Sequence, residues 1–521
     1  MHEIGEKSLK SAAPFSCKIV SMRHCVRLGL ILALLISQPG CARKAAAPGA
    51  GRPIAAEPVQ VLRADLDGIF SDPRLAQAQL GIKVFSLDRA EVLYEKNPRQ
   101  LFVPASGNKL ITAAVALMRL GPGFHFQTRI LANGSIENGV LKGDLIISGS
   151  GDPSGSPQFQ SGNPFAVFAL WASKLKERNI RAISGDILGF AGAFGKPTFG
   201  QGWEWDDLPE SYAAPASALQ FNDDTIAIEI SPGPEEGMEA YISTSPLQDY
   251  LKIDNHVTTG PENGTPDIRV IRGESDEAFE MRGTVPAKAA PVIREIAVRD
   301  PMRYYLSAFR YAMEREGIDT GQCEISPLEG YDPSRLPLLW IHQSPGLPVI
   351  LRILLKESIN IYAETLVRTL GLEVRGTAES DGGREVVKET LGQAGIEPDS
   401  YLFADGSGLS RRNLQSADSL VRLLSFMWRN SSFQLFYDAL PAAGIDGTLS
   451  GRMRGSKGEN NVHAKTGSMT GVSSISGYMK TADGEMLAFS MAANNVIAPK
   501  GSAESIQDSA LIRLAGFSRK H

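Results

Sequence analysis

Cysteine is scarce in this chain of 521 residues, which holds only four. Cys17 and Cys25 fall in an N-terminal segment read below as removable, so only Cys41 and Cys323 remain. One widely spaced pair is no disulfide framework, and Cys323 reads as structural. The common metal spacings are missing too, with no Cys-x-x-Cys and no His-Glu-x-x-His. The seven histidines cluster nowhere. His463, two residues before Lys465 on one predicted strand, reads as structural. A basic surplus is also absent: 53 Lys and Arg stand against 58 Asp and Glu, for a net charge of -5. This argues against a nucleic-acid partner. Gly195-Lys196 lacks a glycine at the Walker spacing, which excludes that phosphate loop.

Long hydrophobic runs are missing as well. The apolar stretch Leu28 to Ile36, preceded by Arg23 and Arg27, is far shorter than the ~20 residues of a membrane span. It reads as a secretory signal, with residues 1–41 as the signal segment and export from the cytoplasm implied. Met22 is a more typical signal start than Met1. Two processing routes stay open. Gly40-Cys41 resembles a lipoprotein site, which would anchor a lipid at Cys41, although Gln38 stands where an apolar residue is expected. Ordinary cleavage near Ala45 to Ala47 is the other.

What is present is ordinary for a soluble globular protein: 43% hydrophobic and 21% charged residues. The length calls for two or three domains. Residues 42–58, rich in Ala, Gly and Pro, read as a linker. Ile82 to Phe85 and Val92 to Tyr94 flank a turn and predict a hairpin. Pro104 precedes a helical pattern from Ser106 to Leu120. Residues 129–330 read as a β-rich insertion, with strands behind Gly143-Asp144 and Gly185-Asp186 turns and at Phe221 to Ile230 and Ile268 to Arg272. Helices are expected at 349–358, 360–370, 383–394 and 416–429, then strands at 461–465, 473–480 and 486–492, and a last helix at 505–515. Residues 59–128 and 331–521 then form one split α/β (α+β) domain, its first hairpin and final strands sharing an antiparallel sheet with helices packed on it.

Three short motifs carry the chemistry. The first is Ser106-Gly107-Asn108-Lys109. A serine hydroxyl is a weak nucleophile that needs a base, and a lysine three residues on lies on the same helical face. Burial and neighbouring cations lower an amine's pKa enough for it to accept that proton. A helix N-terminus adds positive potential and free N–H groups. Alone, the motif is more often a cap plus a surface lysine. The second, Ser358-Ile359-Asn360, lies between two helical patterns and can turn a hydroxyl and an amide into a cleft. Ser358 then relays a proton, and Asn360 holds Lys109 and a substrate amide. The third, Lys465-Thr466-Gly467, lies on a predicted strand. Lys465 and Thr466 suit a carboxylate, Gly467 allows close backbone approach, and Ser468 can offer its N–H to an oxyanion.

In this order the set resembles the penicillin-recognising serine enzymes, and most closely the class C low-molecular-mass penicillin-binding proteins, the D-alanyl-D-alanine carboxypeptidase/endopeptidase family. The likeness covers nearly the whole mature chain. It runs through Phe102 to Thr112, Gly143-Asp144-Leu145, Gly149 to Pro153, Asp405 to Arg411, Gly444 to Leu449 and Ala464 to Val472. Roughly 250 residues separate Ser106 from Ser358, as the large insertion of that group requires. The resemblance implies a β-lactamase/transpeptidase-like domain with helices on both sides of its sheet. It implies Ser106 as nucleophile, Lys109 as base and Ser358 with Asn360 as the second catalytic element. Lys465, Thr466 and Gly467 would bind the terminal carboxylate, and Ser468 would be the oxyanion donor. Leu409, Arg411 and Met469 would line the side-chain pocket, and Trp203 to Asp207 would add an acidic wall. The expected partners are peptidoglycan stem peptides ending in D-Ala-D-Ala, with β-lactams as inhibitors, in the bacterial periplasm or cell envelope. No cofactor or metal is implied. Two departures are visible: Ile359 where Asp is frequent, and Ser468 where Thr is frequent.

Other readings remain. A β-lactamase of the related class A needs a Glu-x-x-Leu-Asn segment, which is missing between Ser358 and Lys465. No Gly-x-Ser-x-Gly elbow marks Ser106, against a Ser-His-Asp hydrolase. An inactive scaffold that binds cell-wall peptide is the non-enzymatic alternative.

Overall fold

The computed structural model describes residues 57–196, 199–246, 250–272 and 278–520. The signal-like run and Cys41 lie outside the described residues. No helix among those described is long and apolar enough to cross a membrane.

The layered part of the chain begins with helix α1 (Pro58–Phe70), strands β1 (Gln79–Ser86) and β2 (Glu91–Lys96), and helix α2 (Lys109–Arg119). Beyond residue 343 follow helices α3 (Leu347–Lys356), α4 (Asn360–Arg375), α5 (Ser380–Gln393), α6 (Ala417–Trp428) and α7 (Phe433–Ala439). Strands β3 (His463–Met469), β4 (Val472–Lys480) and β5 (Met486–Asn494) and helix α8 (Ser502–Ala515) complete it. One antiparallel sheet joins both ends in the order β3-β4-β5-β1-β2. The alternating strand pattern buries two faces. On one, Ile82, Val84, Ile475 and Met491 pack against Leu62 and Leu66 of α1 and Ile506 and Leu511 of α8. On the other, Tyr478 and Ala488 meet the helices around α2. Helix α2 is buried all along Lys109 to Leu117, because Leu, Ile, Ala and Val surround it on every side.

Between these halves lie three further sheets. Six strands form the first: Ile325–Pro327, Ile187–Phe190, Val140–Ser148, Gln127–Glu137 and Leu338–Gln343, with Ala182–Ile183 beside Val140–Ser148. Strand Leu338–Gln343 carries this sheet past residue 330. Two three-stranded sheets follow, Asp267–Arg272, Ala278–Pro286 and Lys252–Gly260, then Val292–Ala297, Thr225–Ser231 and Tyr241–Ser245. Helices Ala166–Glu177 and Pro301–Arg315 supply Phe168, Trp171, Tyr304 and Phe309 to the shared core. Buried Cys323 donates its thiol to the carbonyl of Ile183 at 3.5 Å.

Two local readings change. Gly143 sits in mid-strand opposite Gly134 rather than in a turn, because Val140–Ser148 runs unbroken along its neighbour. Strand begins at Thr225 and not at Phe221, because Asn222, Asp223 and Asp224 all hold positive φ.

Helix α4 is the seam between the layered part and these sheets. Its Tyr362 donates to Asp223 at 2.7 Å, and its Thr365 accepts from Gln220 at 2.6 Å.

Candidate active site

The nucleophile candidate does not open a regular α-helix. Ser106 lies in a 3-10 turn, Ala105–Asn108, and α2 starts only at Lys109. The cause is Ala105, whose φ of +47° is left-handed and costs on the order of 1–3 kcal/mol. The surroundings hold this turn in place. Ser474 Oγ donates to the Pro104 carbonyl at 2.6 Å. A Cβ on Gly467 would stand 2.2 Å from that same oxygen and 2.8 Å from the Gly107 nitrogen. Gly467 is therefore required on the protein's own side, where β3 presses on the turn. A Cβ on Gly408 (φ +86°) would stand 1.8 Å from the Ala105 carbonyl, so the loop Asp405–Gly408 seals the opposite side.

Lys109 projects from the first turn of α2 into a site with no solvent exposure. Its Nζ lies 2.9 Å from Ser106 Oγ, 2.5 Å from Asn360 Oδ1 and 2.8 Å from the Ser407 carbonyl. Burial pushes its pKa down to about 7, while the charges of Asp405 and Glu364 act in the opposite sense. An amine so placed accepts a proton near neutral pH. Lys465, also fully buried, is pushed well below the ordinary lysine value by burial and by the positive charge of Lys109. Its Nζ donates to the Thr466 carbonyl at 2.8 Å. The Thr466 hydroxyl pairs with that of Thr448 at 2.7 Å.

Ser358 sits between α3 and α4 with φ +62°, another left-handed non-glycine residue at the site. Ile359 packs against the apolar layer around α2, which accounts for a hydrocarbon in the middle of this motif. Asn360 begins α4 and is engaged at both ends of its amide. Its oxygen meets Lys109, and its nitrogen donates to the Tyr212 carbonyl at 2.8 Å.

The structure brings segments from five regions of the chain to one cleft of about 370 Å³. Ser106, Ser358, Asn360, Ser468, Leu409, Arg411 and Met469 all line it, with Glu204, Asp207 and Tyr212 opposite. Lys109, Lys465 and Gly467 are buried behind that lining. At the rim, Arg411 faces Glu204 at 3.4 Å and donates to the Thr470 carbonyl at 3.0 Å. Trp203 donates to Asp405 at 2.9 Å. A second cleft of about 490 Å³ shares Tyr212, Ser358 and Asn360 with the first. His463 stacks on Tyr437 with ring centroids 4.2 Å apart, away from this chemistry.

Several participants carry roles that no motif assigns, although Thr448, Asp405 and Ser407 lie in segments that carry the resemblance. Thr448 reaches Thr466 from a separate 3-10 turn. Asp405, Ser407 and Asn413 build the loop that meets Lys109. Glu364 holds that loop from α4. The available signal for Glu364 is its spacing, four residues after Asn360 and so on the same helical face.

The model of the D-Ala-D-Ala carboxypeptidase 3 (S13) family matches residues 62–514. A D-alanyl-D-alanine carboxypeptidase of an Actinomadura strain is 32% identical over 471 residues, covering 88% of this chain and 85% of that one. D-alanyl-D-alanine carboxypeptidase DacB of Haemophilus influenzae is 28% identical over 416 residues, covering 79% and 84%. Among solved structures, penicillin-binding protein 4 (dacB) from H. influenzae matches with a TM-score of 0.75 at 26% identity, over 86% of this chain and 97% of that one. The same protein complexed with a β-lactam matches with a TM-score of 0.71.

Proposed function

The chain belongs to the D-Ala-D-Ala carboxypeptidase 3 family, and from that premise we propose that Ser106 is the residue its substrates acylate. The protein is a low-molecular-mass penicillin-binding protein and a serine-type D-alanyl-D-alanine carboxypeptidase. The observation that carries the assignment of roles is the buried Lys109 amine, 2.9 Å from the Ser106 hydroxyl.

Neutral Lys109 takes the Ser106 proton as Oγ attacks the carbonyl carbon of the penultimate D-alanine. The N–H groups of Ser106 and Ser468 hold the developing oxyanion. Ser358, which lines the same cleft, relays the proton now held by Lys109 to the departing nitrogen. The C–N bond breaks and free D-alanine leaves. Water, deprotonated by the same base, attacks the ester and returns the proton to Ser106. Lys465, Thr466 and Gly467 hold the terminal carboxylate. Leu409, Arg411 and Met469 receive the peptide side chain, and the Arg411–Glu204 pair offers one charge of each sign to a zwitterionic end. β-Lactams acylate the same serine.

The endopeptidase activity belongs to the same reading. Opening a cross-link needs room for a second peptide, and the cleft of about 490 Å³ beside Ser358 and Asn360 supports it. Export belongs to the same reading, and the short apolar run after Arg23 and Arg27 supports a location outside the cytoplasm, near a cell-wall substrate. The mass of the mature chain separates a lipidated Cys41 from cleavage near Ala45.

Labelling with a fluorescent penicillin, alongside D-alanine release and dimer opening on isolated muropeptides, tests the proposal. Wild type is expected to label and release D-alanine, and Ser106→Ala to do neither. A wild type that labels no better than Ser106→Ala would overturn it.

A further inference from the structure

We propose that Glu364 is a positioning residue of this site, gripping the backbone of the loop Asp405–Gly408 so that the Ser407 carbonyl faces the Lys109 amine. The inference rests on the reading of Lys109 as base.

Glu364 stands one helical turn after Asn360 on α4, so both side chains leave the same side of the helix. Asn360 takes one hydrogen bond from Lys109 directly. Glu364 acts at one remove. Its Oε1 accepts from the Ser407 N–H at 2.7 Å, and its Oε2 faces the Gly406 N–H at 3.3 Å. The carbonyl of that same Ser407 accepts from Lys109 at 2.8 Å. One residue is thus held at its N–H by a carboxylate and presents its C=O to the catalytic amine.

The rest of the loop is anchored elsewhere. Asp405 accepts from Gly408 N, Ser410 N, Asn413 and Trp203 at 2.6–2.9 Å. Thr112 donates to the Gly406 carbonyl at 2.7 Å. Among the described residues, Glu364 is what fixes the Ser407 N–H. A carboxylate is also a costly group to bury, and Glu364 is only 7% exposed. A hydrocarbon would fill the same space between helix and loop without that cost. Keeping a charge-bearing acceptor there matches a need for charge-assisted bonds to the two amides.

The charged groups around it define its second effect. Lys109 reaches it from α2, Asp405 from the loop and Arg368 from its own helix. Burial and the Asp405 charge push the Glu364 carboxyl up to about 7, against the amide hydrogen bonds. Its negative charge favours the protonated form of Lys109. Replacing it with a neutral group moves the Lys109 titration to lower pH.

The test uses Glu364→Gln and Glu364→Asp in the full chain. Acylation by a fluorescent penicillin is timed across pH 5 to 10, with a melting curve for each variant. The glutamine keeps the shape but turns an amide donor toward the Gly406 N–H. We expect acylation to slow by about tenfold or more and its acid limb to move to lower pH, with folding retained. The aspartate keeps the charge but not the reach, so its limb is expected at the wild-type pH with a rate at least about fivefold lower. A glutamine variant with the wild-type rate and an unmoved limb overturns the proposal. So does a loss of rate in both variants that merely follows the folded fraction. If the glutamine variant does not fold, the aspartate variant decides, and a wild-type rate there refutes the role. Failure of the base assignment is seen separately, as wild-type labelling by Lys109→Ala.

Discussion

A lysine with its ordinary pKa of 10.5 is a poor base at neutral pH, with only about one molecule in 3,000 uncharged at pH 7. Lys109 is held at about 7, which leaves roughly half of it neutral there. The displacement corresponds to roughly 5 kcal/mol of discrimination against the ammonium form. It comes first from complete burial, and Asp405 and Glu364 keep it from going further. The perturbation to apply is pH itself. Second-order acylation by a fluorescent penicillin should rise about tenfold per pH unit on the acid side and level off near pH 7. Stability gives an independent check with a fixed sign. Between about 7 and 10.5 the unfolded chain binds the proton that folded Lys109 refuses, so this group makes stability rise with pH in that window. Glu364 acts oppositely at lower pH. Its folded value near 7 exceeds the ordinary 4.5, so its contribution falls as pH rises from 4.5 to 7. Acylation that keeps climbing to pH 10, or that shows no acid limb at all, would exclude Lys109 as the base.

Two further outcomes follow from geometry. Gly467→Ala drives a methyl group to 2.2 Å from the Pro104 carbonyl, so the turn carrying Ser106 must shift. The expected cost is ~1–3 kcal/mol, read as a lower melting temperature together with slower penicillin acylation; wild-type values for both would contradict the packing described. Arg411→Ala removes one half of the charge pair at the cleft rim. KM for a stem peptide with a zwitterionic side chain should rise ~10-fold with kcat little changed, and equal KM values for variant and wild type would remove Arg411 from substrate recognition.

The three motifs were legible because each needs only a local pattern: a helical spacing, a break between helices and an alternating strand. The split sheet was legible for a similar reason, since the apolar strand patterns of β1 and β5 survive any separation in sequence. What the letters hide is backbone conformation forced from outside. Nothing about Ala105 or Ser358 announces a positive φ; each is imposed by its surroundings at the site. Nor does sequence separation reveal that Gly408 must clear Ala105, or that Thr448 meets Thr466. Glu364 belongs to none of the motifs and carries no local signal beyond its place on a helix. Its face was predictable, but not that this face is buried.

The sheet order has a consequence for when activity can exist. Strands β3, β4 and β5 come last in the chain, yet β1 from near the start has no inner neighbour until β5 arrives. Lys465 and the wall behind Ser106 arrive with them. A chain still being synthesised therefore carries its serine unarmed until the last strands arrive, and activity switches on only when the loop of some four hundred residues between β1 and β5 has been closed.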